Sequence, residues 1–169
     1  MAFDKFKDEC GVVAVHNHPE ASTVAYLGLH QLQHRGQESA GMVASDGGRM
    51  HVHKAMGEVA DIFTEDVLAK LPGHLAIGHT RYSTSGDSAV LNAQPIVVDC
   101  NKGMIGVAHN GNLVNAYEIR ARLEAQGSIF QTSSDTEVIV HLIAQSREQT
   151  LPEAICDALR CPKALSPWF

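Results

Sequence analysis

The 169-residue chain has no apolar run approaching the roughly 20 residues that a bilayer-spanning helix requires. It has no surplus of basic charge either. Lys plus Arg number 13 against 19 for Asp plus Glu, a net charge of −6. A protein that tracks nucleic-acid phosphates carries a basic patch, so that class is excluded in favour of small-molecule chemistry. The first nine residues mix Asp4, Lys5, Lys7, Asp8 and Glu9 with two Phe, and no secretory apolar core is present among them. The four cysteines, Cys10, Cys100, Cys156 and Cys161, form no C-x-x-C pair. Scattered thiols of this kind suit a reducing cytoplasm rather than a disulfide framework. The sequence contains no H-E-x-x-H, no Asp-Asp pair and no repeat.

What is present reads as a mixed domain. Residues 10–15 (Cys-Gly-Val-Val-Ala-Val) predict a buried strand, being short, β-branched and continuously apolar. His18-Pro19-Glu20 opens a helix that runs to Gln33, with Pro in the first turn where its missing N–H costs nothing. Strands at 40–45 and 50–55 flank Asp46-Gly47-Gly48 and predict a hairpin. Further strands are expected at 75–80, 95–99 and 104–109. Asn115 with Glu118, Ser134 with Glu137, and Thr150 with Glu153 each resemble a capping box before an apolar helical stretch. Strands and hairpins with helices between and after imply α+β.

Two chemistries compete. Ten histidines, with His16/His18 and His51/His53 spaced to share a strand face, invite a zinc reading. No third ligand stands at a matching spacing, so ordinary core or surface histidines are the preferred reading and no metal is expected. The second chemistry rests on polar clusters at element ends. These are Gln33-His34-Arg35-Gly36-Gln37-Glu38, Gly78-His79-Thr80-Arg81-Tyr82-Ser83-Thr84, Ala108-His109-Asn110-Gly111-Asn112 and Gln131-Thr132-Ser133-Ser134-Asp135. Singly, each is a polar turn. Together in one small domain, with a cysteine at the first strand, they point to a functional site rather than to four separate turns.

In order and spacing these motifs resemble the glutaminase domain of the amidophosphoribosyltransferase family, among the N-terminal-nucleophile (class II) glutamine amidotransferases. The likeness covers roughly residues 1–160. Gln33 to Glu38 separates it best from a sibling that makes glucosamine 6-phosphate. The resemblance implies a four-layer αββα sandwich. It implies residues 1–9 as a cleaved propeptide, 10–160 as a partial amidotransferase domain, and 161–169 as an off-pattern tail. The phosphoribosyltransferase domain is then absent, and so are several strands of the sandwich.

The implied activity is hydrolysis of glutamine to glutamate and ammonia through a cysteine thioester. In the family the ammonia passes to phosphoribosyl pyrophosphate and gives phosphoribosylamine, the first step of purine synthesis. The resemblance assigns Cys10 as nucleophile, with the Asn110 side chain and the Gly111 N–H as oxyanion donors. Arg81, helped by Thr84, would hold the glutamine α-carboxylate, and Asp135 the α-ammonium. Arg35 and Gly36 would shape the nucleophile's surroundings. A thiol on the first residue of a mature chain has its own α-amine as base and needs no histidine. No cofactor is expected in this chain. Magnesium with phosphoribosyl pyrophosphate, and an iron–sulfur cluster in propeptide-bearing members, belong to the missing half. The implied partner is glutamine, with no nucleic acid and no membrane, in a cytoplasmic homo-oligomer. Two alternatives stay open: a class II amidotransferase with a different ammonia acceptor, and a truncated, inactive fragment.

Overall fold

The computed structural model describes residues 10–35, 38–82 and 90–160. Among them, six strands and six α-helices form the expected α+β arrangement. The first sheet holds β1 (Gly11–His16), β2 (Ser39–Ser45), β3 (Met50–Met56) and β4 (Leu75–Arg81) in the order β1-β4-β2-β3, all antiparallel. The second pairs β5 (Ile96–Cys100) with β6 (Gly103–Val107). The β2–β3 hairpin closes as its sequence predicts. Asp46 Oδ1 accepts the N–H groups of Gly48 and Arg49, both at 2.8 Å.

Helix α1 (Ala21–Gln31) covers one face of the first sheet with Ala21, Ala25 and Leu29, all fully buried. The approach is close because β4 offers Gly78 there: a Cβ on it would stand 2.6 Å from Leu29 Cδ1. The short helices α2 (Val59–Ile62) and α3 (Glu65–Leu68) close the same core with Val59, Ile62 and Phe63. On the other face the two sheets meet, Val43 of β2 lying beneath Gly106 of β6. Helices α4 (Ala116–Ala125), α5 (Thr136–Gln145) and α6 (Leu151–Leu159) cover the second sheet with Ile119, Leu123, Val138, Ile143 and Ala154. The layers therefore run helix, sheet, sheet, helices.

Four expectations need correction. Strand β1 is not buried on both faces: it lies at an edge of its sheet among the described residues, and Val12, Ala14 and His16 point outward. Helix α1 stops at Gln31 and gives way to a 3₁₀ turn over Gln33–Arg35, because Arg35 turns back to Cys10. The Ser134–Glu137 capping box is not formed. Ser134 Oγ accepts from Thr136 N–H at 3.3 Å, while the buried Glu137 carboxylate accepts from Gln131 N–H, Thr132 N–H and Thr132 Oγ1. Asn115 makes no side-chain cap either, whereas Thr150 does cap α6, accepting from Glu153 N–H.

Candidate active site

Cys10 stands at the mouth of β1 with φ of 65°, a left-handed conformation uncommon for a residue with a side chain. A two-way link holds it there. Its N–H donates to the Arg35 carbonyl at 2.9 Å, and Arg35 Nε donates to the Cys10 carbonyl at 2.8 Å. The thiol points to the Tyr82 carbonyl at 3.8 Å, just beyond Arg81 at the end of β4. Antiparallel pairing of β1 with β4 produces this proximity, since Gly11 is opposite Thr80. Residues 72 positions apart therefore face one another at one end of the sheet.

The turn leaving β6 reaches the same place. Asn110 Nδ2 donates to the Cys10 carbonyl at 3.3 Å, across 100 residues of sequence. A neutral amide donor and the following Gly111 thus lie beside Cys10. Further along, Leu113 N–H donates to Asp135 Oδ2 at 2.8 Å. Asp135 has helical backbone angles at the start of α5, where a carboxylate also suits the helix dipole. The bond leaves its second oxygen available to a cation. Arg81 is mostly buried, and its Nη1 lies 4.0 Å from Glu38 Oε1.

The structure thus brings together Cys10, Arg35, Asn110, Gly111, the Arg81–Tyr82 strand end and, through Leu113, Asp135. Thr84, Gly36, the propeptide 1–9 and the tail 161–169 lie outside the described residues. His51 Nε2 faces Asp46 at 3.7 Å, and His53 packs edge-on against Phe63. Among the described residues no three His, Cys, Asp or Glu side chains gather as a metal site. The polar depression lined by Lys102, Ser146 and Glu148 contains none of the site residues.

Sequence reasoning missed several residues that hold this site. His79 is fully buried, within reach of the His109 backbone. Burial pushes its pKa down to about 4; the charges of Arg81 and His109 act in the same sense, and the His109 backbone acts against them. It is a neutral ring at neutral pH. Asn92 and Gln94 are also nearly buried. Asn92 pairs reciprocally with Ser133, and Gln94 Oε1 accepts from His109 N–H at 2.7 Å. The sequence marked these positions only by placing amides just before an apolar strand.

Residues 64–156 match the profile of a family described as a glutamine amidotransferase domain. The chain is 52% identical over 155 residues to amidophosphoribosyltransferase 3, chloroplastic, of Arabidopsis thaliana. That match covers 92% of this chain and 29% of the plant protein. It is 50% identical over 153 residues to the amidophosphoribosyltransferase of Bacillus subtilis, covering 90% and 32% respectively. One solved structure, titled as the allosteric regulatory enzyme of purine biosynthesis, superposes with a TM-score of 0.84 at 49% identity. It is covered to 32% by this chain, of which 88% aligns. A second, the B. subtilis glutamine phosphoribosylpyrophosphate amidotransferase complexed with ADP and GMP, gives a TM-score of 0.81 at 48% identity. The chain therefore spans about a third of the length of these relatives. Among the described residues, no helix is long and apolar enough to cross a membrane.

Proposed function

The chain belongs to the glutamine amidotransferase domain family, and on that footing we propose that it is the glutaminase part of an amidophosphoribosyltransferase. It hydrolyses glutamine and delivers ammonia to phosphoribosyl pyrophosphate bound by a second domain. The observation that carries the reading is the meeting of Asn110 Nδ2 with the Cys10 backbone at 3.3 Å. It joins a nucleophile to a neutral oxyanion donor from the far half of the chain. The names of the relatives supply the acceptor.

The reaction divides among the residues as follows. Arg81 with Thr84 fixes the α-carboxylate through a guanidinium fork, and Asp135 fixes the α-ammonium. The amide carbon then lies before the Cys10 sulfur. The thiolate attacks it, and negative charge moves to the amide oxygen between Asn110 Nδ2 and the Gly111 N–H. Losing one such donor typically costs about 3–4 kcal/mol. Collapse breaks the C–N bond, ammonia leaves with a proton, and a γ-glutamyl thioester remains. Water adds to the thioester and releases glutamate and the thiol. The base is the α-amine of Cys10, free once residues 1–9 are removed. The Arg35 carbonyl accepts from that nitrogen at 2.9 Å, and the resemblance assigns Gly36 to the same surroundings. The thiol must stay reduced throughout, which a cytoplasmic setting provides.

The test compares the chain carrying residues 1–9, with cleavage after Glu9 blocked, against one beginning Met-Cys10 from which the initiator Met is removed. Only the second should release glutamate and gain the mass of a glutamine analogue with an electrophilic γ-carbon. Cys10→Ala should do neither and should melt as the parent does. An adduct on Cys100 with Cys10 untouched, or equal activity in the two chains, overturns the proposal.

A further inference from the structure

The residues just before β5 join the two substrate-binding loops to each other and to the nucleophile's sheet. We infer that Asn92 and Gln94 form a positioning strap: Gln94 sets the oxyanion turn for the reaction step, and Asn92 sets the loop that recognises the glutamine α-amino group. The inference rests on the amidotransferase reading above and gives its site two further residues.

The strap is anchored on the first sheet. The Gln94 carbonyl lies so close to Gly41 of β2 that a Cβ there would stand 2.3 Å from the oxygen. No other residue type leaves this room. Sheet one carries Cys10 and Arg81, so the strap's origin is fixed relative to the nucleophile and the carboxylate clamp. From this base the two side chains diverge. Gln94 Oε1 accepts His109 N–H at 2.7 Å, and the next residue is Asn110. Asn92 Oδ1 accepts Ser133 N–H at 3.0 Å while its Nδ2 donates to Ser133 Oγ at 3.0 Å. Ser133 is two residues before Asp135.

The chemistry of the amide explains the residue types. A primary amide accepts and donates from one rigid plane. Asn92 therefore fixes both a backbone and a side-chain group of Ser133, which sets orientation as well as distance. Neither amide adds a charge that would compete for the substrate's ammonium or carboxylate. Both side chains are nearly buried, at 4% and 7% exposure, so water is a poor substitute partner. The two loops also touch each other through Leu113 N–H and Asp135. A small displacement of either one moves a group that must sit within tenths of an ångström of productive geometry.

The experiment measures steady-state glutaminase kinetics of the full chain beginning at Cys10. Substrates are glutamine and its counterpart lacking the α-amino group, glutaramate. Asn92→Ala should raise the glutamine KM about tenfold with kcat nearly unchanged, and should shrink the preference for glutamine over glutaramate. Added to Asp135→Asn, it should shrink that preference no further. Gln94→Met should lower kcat about tenfold for both substrates alike, and Gln94→Glu, which keeps the acceptor oxygen but adds a buried charge, should restore part of it. Melting temperatures are read in parallel. Equal loss of kcat and KM quality in both strap variants, no rescue by Gln94→Glu, or unchanged kinetics overturns the strap. Asp135→Asn and Asn110→Ala serve as controls. Wild-type kinetics in those two sink the active-site reading itself; altered controls beside unaltered strap variants sink the strap alone.

Discussion

Asp135 has two jobs in the proposed site, and different substitutions separate them. One carboxylate oxygen accepts Leu113 N–H at 2.8 Å, which ties the oxyanion turn to the start of α5. The other is assigned to the substrate ammonium. Asn keeps an acceptor for Leu113 but loses the charge. A hydrogen bond to a charged group contributes about 1.5–3 kcal/mol, so Asp135→Asn should raise the glutamine KM roughly 10- to 150-fold. The ammonium is held alike in ground and transition states, so kcat should stay within a few-fold. Stability should barely change. Asp135→Ala removes both acceptors and leaves Leu113 N–H without its partner, at a cost of about 1–3 kcal/mol. At roughly 2–4 °C of melting temperature per kcal/mol, that loss is visible in a thermal scan. The assay pairs glutamine kinetics with melting for the two variants. A melting temperature that falls equally in both, with KM unmoved, would show that Asp135 is a structural residue alone.

Asn110→Ala should lower kcat by about 10²–10³ with little change in KM, the signature of a donor used only as charge develops; equal losses in both parameters would place it in ground-state binding. His79, fully buried and with its pKa depressed to about 4, gives stability a pH dependence of known sign. Above its unfolded value of 6.5 both states are neutral and the group contributes nothing to the pH dependence. As pH falls from 6.5 to 4 the unfolded chain takes the proton first, and about 3 kcal/mol is lost. Urea midpoints of the parent should drop more steeply through that window than those of His79→Gln, and parallel curves would refute the assignment. Gly78→Ala places a Cβ 2.6 Å from Leu29 Cδ1 in a packed interior and should cost about 1–3 kcal/mol in chemical denaturation; an unchanged midpoint would mean that α1 can shift off the sheet freely.

Much of the fold was legible because its strands are short, β-branched and bounded by turn residues. All six fall within one residue of their expected bounds at each end, except β6, which stops at Val107 before the polar turn begins. The turn at Asp46 was readable because its hydrogen bonds are local. Helices α2 and α3 were missed because four residues each make little more than one turn, too few for a 3.6-residue period to register. The Ser134–Glu137 box failed for a different reason. Its local pattern is complete, but the preceding loop offers Glu137 two backbone donors and a hydroxyl, and three bonds outcompete one. The edge position of β1 could not be read from its own residues, because strand order is decided by β4 inserting between β1 and β2.

The site divides along the same line. Cys10, Arg81, Asn110 and Asp135 are named through the resemblance of the polar motifs around them to a glutamine amidotransferase domain, and their roles rest on that likeness. Asn92 and Gln94 could not be named, since their partners lie 41 and 15 residues away and only the stacking of the sheets brings them near. The resemblance assigns Cys10 no histidine partner, and that connects both levels. A thiol without a base is an inert core residue unless the chain supplies one. The backbone nitrogen of Cys10 is not left to solvent: one hydrogen is directed at the Arg35 carbonyl, and Arg35 in turn grips the Cys10 carbonyl. While that nitrogen is an amide, the arrangement only fixes the strand's start. In the proposed mature chain it is a terminal amine, and the same carbonyl would orient one N–H and leave the lone pair to the thiol. In the proposed mechanism the Arg35 link that fixes Cys10 would therefore also orient its amine.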